Sequence, residues 1–79
     1  DGIRVNAVAP GYTRTELYER AVSAGLVATD HLMARVPLGR PAEPSELASV
    51  IVFLSGPGAS YITGQSIIVD GGLVIGSDW

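Results

Sequence analysis

Several residue types that often stabilise small proteins are missing from this 79-residue sequence. There is no cysteine, which excludes disulfides and thiolate metal ligands, and the single histidine, His31, cannot form a zinc site alone. Short chains are usually stabilised by disulfides, by metals or by partner proteins. With the first two excluded, we expect this chain to be stabilised by contact with more protein. A chain without cysteine also suits a reducing environment, so we expect a cytoplasmic location.

Charged residues are also scarce. They make up 16% of the sequence, whereas ordinary soluble domains contain about 25%, and hydrophobic residues make up 47%. Much of this chain is therefore expected to be covered by further protein. The net charge of −3 comes without a basic stripe, and no apolar run approaches the ~18 residues that span a membrane. We expect a globular protein that binds neither nucleic acid nor membranes.

Two β-strands are predicted near the ends of the chain. Apolar and other residues alternate over residues 2–9, and Pro10-Gly11 then forms a strong turn signal. Residues 65–69 contain three consecutive apolar residues, as is typical of a parallel strand covered on both faces. Because two strands cannot hide both faces of a parallel sheet, strand 65–69 is expected to have neighbours outside this chain. Residues 70–72 are interpreted as a turn.

Three helices are predicted between the strands. The first, residues 16–24, has two candidate N-caps, Thr13, which fits a capping box, and Thr15. The second begins at residue 29 or 30 and ends at residue 35, and both short helices have few apolar anchors. The third, residues 44–54, starts with proline and is apolar on more than one side, which predicts burial on more than one side. The order predicts a βαβ unit with a right-handed crossover.

Four stretches of the sequence, taken in order, resemble the short-chain dehydrogenase/reductase family. They are GIRVNAVAPG at residues 2–11, PLGR at 37–40 with EP at 43–44, ASYITGQ at 59–65, and VDGG at 69–72. The resemblance implies an α/β fold, in which this chain is the C-terminal βαβ part of a doubly wound Rossmann-type parallel sheet. Residues 1–79 would form the C-terminal segment of a single domain, without its N-terminal cofactor-binding half and catalytic segment.

The resemblance also implies a cofactor site for NAD or NADP after the first strand. Pro10 and Gly11 match the family's turn beside the nicotinamide, and Thr13 matches the position whose backbone groups bond the carboxamide. Thr15 matches the threonine whose hydroxyl contacts the carboxamide or the pyrophosphate. Unpaired N–H groups at a helix start favour such ligands, and glycine allows close backbone approach. From the residues alone, a plain turn and helix caps are the alternative interpretation.

The residues that this family uses for proton transfer have no counterpart in the chain. The family's Ser, Tyr and Lys set, with Tyr and Lys four residues apart, and its glycine-rich pyrophosphate turn both precede the matched strand. Tyr12, Tyr18 and Tyr61 each lack a lysine four residues later, and the sequence contains no lysine. We therefore expect no catalytic residue, no metal ligand and no turnover by this chain alone.

The implied function is an NAD(P)-dependent oxidoreductase that interconverts an alcohol and a carbonyl compound. This chain would contribute the nicotinamide-side turn, a substrate lid at residues 16–36, and an interface of helix 44–54 with strand 65–69 in a homodimer or homotetramer. Trp79 is a candidate anchor in that interface. The alternative is a non-catalytic truncated or split module that acts only in assembly. The residue that distinguishes NAD from NADP normally follows the family's second strand, which this chain lacks.

Overall fold

The computed structural model describes residues 2–26 and 28–76, and it contains two parallel strands joined by helices. Strand β1 (Ala7–Pro10) pairs with β2 (Ser66–Val69), with Ala7 opposite Ser66 and Pro10 opposite Val69. The other elements are α1 (Glu16–Ser23), α2 (Thr29–Met33), α3 (Pro44–Ser55), a 3-10 turn (Pro57–Ala59) and, after β2, α4 (Leu73–Gly76). The parallel pairing around these helices confirms the predicted βαβ unit.

Strand β1 begins at Ala7, later than the alternating pattern predicts. The preceding residues bond to the loop before β2 instead. The Val5 N–H donates to Thr63 Oγ1 at 3.2 Å, and the Val5 carbonyl accepts from the Gly64 N–H at 2.8 Å. The Asn6 side chain bonds to the same loop through both its amide nitrogen and its oxygen. The predicted start at residue 2 was wrong because alternation indicates an extended chain without specifying its partner.

Helix α1 is capped by Thr15, one of the two predicted candidates. The Thr15 backbone is extended, and its hydroxyl oxygen accepts from the Tyr18 N–H at 3.1 Å. The other candidate, Thr13, was wrong, because its hydroxyl donates to the Gly11 carbonyl at 3.2 Å and does not reach the helix. The cap places the start of α1 at Glu16, five residues after Gly11.

Both short helices end in hydrogen bonds that differ from the helical pattern. Helix α1 ends in a Schellman motif, in which Gly25 has φ 74° and the Leu26 N–H donates to the Ala21 carbonyl at 3.0 Å. Helix α2 ends earlier than the predicted residue 35, because the Val36 N–H bonds to the Met33 carbonyl at 3.1 Å. That bond closes a tight turn of the 3-10 type.

Helix α3 is held at both ends. Pro44 occupies its first turn, as predicted. At the other end, Arg4 donates from Nη1 to the Leu54 carbonyl at 2.9 Å and from Nη2 to the Gly56 carbonyl at 3.4 Å. A cation at a helix C-terminus is favourable, because the last carbonyl groups have no partners in the helix. The segment before β1 and the end of α3 are thereby tied together.

The described residues form only a small core. Val36, Leu54 and Ala59 are its buried apolar residues, and the Cα atoms span 49 × 29 × 15 Å. Three consecutive residues of α3 are largely uncovered: Ile51 is 51% exposed, Val52 71% and Phe53 51%. Among the described residues, no helix is long and apolar enough to cross a membrane. Trp79, the predicted interface anchor, lies outside the described residues.

Candidate cofactor turn and base of the lid

The turn after β1 passes very close to the end of β2. The Gly11 N–H donates to the Val69 carbonyl at 3.0 Å and so extends the pairing of the two strands. A Cβ atom built on Gly11 would lie 2.7 Å from Asp70 Cβ and 2.8 Å from Asp70 Cα. Real atoms of this kind do not approach so closely, so only glycine allows this path. The contact determines where the chain leaves the sheet.

After the turn, the chain forms a short parallel bridge between Thr13 and Ala42. The Ala42 N–H donates to the Tyr12 carbonyl at 2.9 Å, and the Arg14 N–H donates to the Ala42 carbonyl at 2.8 Å. In extended backbone, the amide groups of consecutive residues point to opposite sides. The Thr13 N–H and carbonyl therefore face away from Ala42, and neither has a hydrogen bond to any described residue.

The start of α1 combines a capping threonine with two acidic residues. Thr15 accepts from the Tyr18 N–H, and its own hydroxyl proton remains available, because a hydroxyl both donates and accepts. Glu16 and Glu19 lie in the first turn of the helix, and each forms an ion pair, Glu16 with Arg20 and Glu19 with Arg14. Because each carboxylate is paired with an arginine, the side chains at this helix start carry no net charge.

An ionic network joins this turn to the start of α3. Arg14 Nε lies 2.7 Å from Glu43 Oε2, and Arg40 contacts both carboxylate oxygens of Glu46, at 2.7 and 2.9 Å. The Glu43 N–H also donates to Glu46 at 2.9 Å. The pKa of Glu46 is lowered to about 2, mainly by the hydrogen bonds from Arg40 and to a smaller extent by the one from the Glu43 backbone. The same pairing raises the pKa of Arg40.

Asp70 stabilises the start of α4. Its carboxylate accepts from the Val74 N–H and the Gly72 N–H, each at 2.9 Å, and these bonds hold the pKa of Asp70 below its usual value. The structure thus agrees with the interpretation of residues 70–72 as a turn. Within residues 2–26 and 28–76, no group of three or more His, Cys, Asp or Glu side chains is arranged to hold a metal ion.

The four residues predicted for the cofactor site lie along one continuous segment between β1 and α1. Pro10 ends the strand, Gly11 contacts Asp70, Thr13 presents its free amide groups, and Thr15 caps the helix. The sequence analysis did not single out Arg14, although it lies between the two threonines. The proximity of Arg14 and Glu43 arises from the bridge at Ala42, and no local sequence pattern indicates it.

Parallel strands joined through helices are the unit from which a Rossmann-type α/β sheet is built. Residues 1–74 match a family model described as enoyl-(acyl carrier protein) reductase. The chain is 53% identical over 76 residues to a tropinone reductase homologue of Arabidopsis thaliana, covering 95% of this chain and 28% of that protein. It is 49% identical over 73 residues to the 3-oxoacyl-(acyl-carrier-protein) reductase FabG of Thermotoga maritima, covering 92% of this chain and 28% of the relative.

The chain is also similar in structure to a solved dehydrogenase. The crystal structure of a putative 2-deoxy-d-gluconate 3-dehydrogenase from Agrobacterium tumefaciens, with bound NADP, matches with a TM-score of 0.84 and 36% identity over 94% of this chain and 30% of that chain. The chain belongs to the short-chain dehydrogenase/reductase family, which confirms the resemblance and the predicted fold class. It spans about 28% of the length of the curated relatives named above.

Proposed function

We propose that a full-length protein containing this chain is an NAD(P)-dependent oxidoreductase that interconverts an alcohol and a carbonyl compound. Residues 1–79 form the C-terminal segment of its single Rossmann-type domain. The relatives named above, which are called reductases and a dehydrogenase, support this class of reaction. In this proposal, the bound cofactor carries the hydride, and this chain holds the nicotinamide end of the cofactor.

The observation that carries the proposal is the free amide pair of Thr13. Its N–H and carbonyl lie side by side on the face opposite Ala42, because the bridge engages Tyr12 and Arg14 instead. A carboxamide has one acceptor and one donor group, so it complements such a pair in a single orientation. Two bonds to an extended residue would determine which face of the nicotinamide meets the substrate. Thr13 is therefore the proposed anchor of the carboxamide.

Thr15 is proposed to contact the carboxamide or the pyrophosphate of the cofactor. Its hydroxyl proton is available while its oxygen caps α1, so the capping role and a ligand contact are compatible. The carboxylates of Glu16 and Glu19 lie in the same helical turn, but each is paired with an arginine, so they do not exclude an anion there. Pro10 and Gly11 complete the site by placing the turn against Asp70.

The proton-transfer group of the reaction is proposed to come from outside this chain. No tyrosine here is followed by lysine at the spacing that the family uses. The lid, α1 and α2 within residues 16–36, contributes apolar side chains such as Leu17, which is 76% exposed. The substrate is proposed to be a small alcohol or ketone. NAD and NADP both remain candidates, because the distinguishing residue lies outside this chain.

A second proposal concerns α3 and β2, which we assign to a homodimer or homotetramer interface. Val52 is 71% exposed on α3, and Ile68 is 55% exposed on β2. Strand β2 pairs only with β1 among the described residues, so its other edge is free. Apolar edge strands and apolar helix faces are usually covered, and a two-fold axis would cover both. These observations also suit the alternative function, an assembly module without catalysis.

Turnover measurements separate the two functions. The full-length protein is assayed with NADH and NADPH against a panel of ketones, and with the oxidised cofactors against alcohols. We expect turnover with at least one cofactor and none from residues 1–79 alone. Absence of both cofactor binding and turnover in the folded full-length protein would refute the enzymatic proposal and favour the assembly module. Turnover by residues 1–79 alone would refute the proposal that proton transfer depends on other residues.

A further inference from the structure

The two ends of the lid segment lie next to each other. The chain enters the lid after Thr13 and Arg14, and it comes back to the same place at Ala42 and Glu43, immediately before α3. The two main-chain hydrogen bonds to Ala42 close this base. Exposed hydrogen bonds of such a small bridge open easily unless further contacts support them.

One ion pair crosses the base of the lid. Arg14 Nε lies 2.7 Å from Glu43 Oε2, and both side chains are about half exposed. The other ion pairs between described residues are local: Arg20 with Glu16 within α1, Arg14 with Glu19, and Arg40 with Glu46 on the return side. Arg14 is thus the charged residue that contacts both the outgoing helix, through Glu19, and the returning segment, through Glu43.

We propose that Arg14 is a positioning residue for the cofactor. Its ion pair with Glu43 keeps the Thr13–Ala42 bridge closed, and the closed bridge keeps the free amide groups of Thr13 directed at the ligand. This inference rests on the proposed function only for the identity of that ligand. In this proposal Arg14 acts on the ligand only through Thr13, so its loss affects binding in the ground state and transition state equally.

The expected effect is modest, because half-exposed ion pairs are weak and are screened by salt. In the full-length protein, Arg14→Gln and Glu43→Gln should each raise KM for the cofactor by about 2- to 5-fold at low salt, with kcat unchanged. The double variant should be no worse than Arg14→Gln, since that substitution already removes the contact through which Glu43 acts. High salt should remove the difference from the wild-type protein.

Arg20→Gln is the matched control. It removes an exposed ion pair with Glu16 on the same lid but leaves the base untouched. We expect its KM for the cofactor to equal that of the wild-type protein. An equal rise in Arg20→Gln, additive effects in the double variant, or an unchanged KM in Arg14→Gln would each overturn the inference.

Hydrogen exchange distinguishes failure of this inference from failure of the proposed function. In the protein without cofactor, the amides of Arg14 and Ala42 should exchange faster in Arg14→Gln and Glu43→Gln, but not in Arg20→Gln. This result is expected even if the wild-type protein binds no nicotinamide cofactor, which would refute only the proposed function. Unchanged exchange of these two amides would refute the role of the ion pair in closing the bridge.

Discussion

Replacing Gly11 with alanine tests whether the close approach of the turn to β2 is required. The added Cβ would lie 2.7 Å from Asp70 Cβ and 2.8 Å from Asp70 Cα. Neither atom is at the flexible end of a side chain, and Asp70 is held by its hydrogen bonds to α4. The clash must therefore displace the turn or the end of β2.

Two opposing effects determine how much Gly11→Ala changes the free energy of unfolding. Overpacking in a well-packed region costs about 1–3 kcal/mol. Glycine-to-alanine replacement also restricts the unfolded chain, which stabilises the folded state by about 0.4–1 kcal/mol. For Gly11→Ala we expect a net destabilisation of about 1–2 kcal/mol, because the clash is with the backbone. In a domain of about 150–250 residues this lowers Tm by roughly 2–8 °C.

Gly56→Ala is the matched control for this experiment. Gly56 has φ −103°, which alanine adopts readily, and its Cβ would lie 3.4 Å from the nearest atom, the Val52 carbonyl oxygen. Only the effect on the unfolded chain remains, so the variant should be as stable as the wild-type protein or slightly more stable. Thermal and denaturant unfolding of the full-length variants give the comparison. Equal stability of Gly11→Ala and Gly56→Ala would refute the requirement for glycine at the turn.

Three further variants of the full-length protein test other contacts. Thr15→Val should weaken cofactor binding by about 0.5–1.5 kcal/mol, the worth of one hydrogen bond, whereas Thr15→Ser should bind normally; equal affinity of both in a titration would leave Thr15 as a cap only. Glu46 has a lowered pKa of about 2, so its pair with Arg40 stabilises the fold above the unfolded-state value near 4.5 and loses this effect as the pH falls towards 2. The free energy of unfolding of Glu46→Gln should accordingly change less with pH in that window than that of the wild-type protein. An identical pH dependence would contradict the lowered pKa of Glu46. Val52→Glu should dissociate or precipitate the oligomer in light scattering, whereas Leu17→Glu, at a similarly exposed apolar site, should retain the wild-type mass; an unchanged mass for Val52→Glu would place the interface elsewhere.

The parts of the fold that could be predicted depend on local signals. Pro10-Gly11 ends β1 within one residue of the prediction, and Pro44 starts α3. These signals are local because proline fixes its own φ and glycine allows conformations that other residues avoid. The parallel pairing followed from the order of elements. The short helix α4 was missed, although Asp70, whose carboxylate accepts from the Val74 N–H in that helix, is a residue type often found before a helix.

The parts that could not be predicted depend on residues distant in the sequence. Thr13 and Glu16 fit a capping box, yet Thr13 belongs to a bridge with Ala42, and Thr15 forms the cap. The free amide groups of Thr13 and the ion pair of Arg14 follow from that bridge. The family resemblance predicted which residues line the candidate site. Only the structure shows the contacts that direct their polar groups.

The central proposal, that Thr13 binds the nicotinamide carboxamide, is tested most directly by NMR of its backbone amide in the full-length protein. The protein is titrated with NAD and NADP, and with the matching ADP-ribose fragments, which lack the nicotinamide. We predict a saturating shift of the Thr13 amide signal with the intact cofactor and a much smaller shift with the fragment at equal occupancy. Equal shifts with both ligands, or no shift with the intact cofactor at saturation, would contradict the proposal.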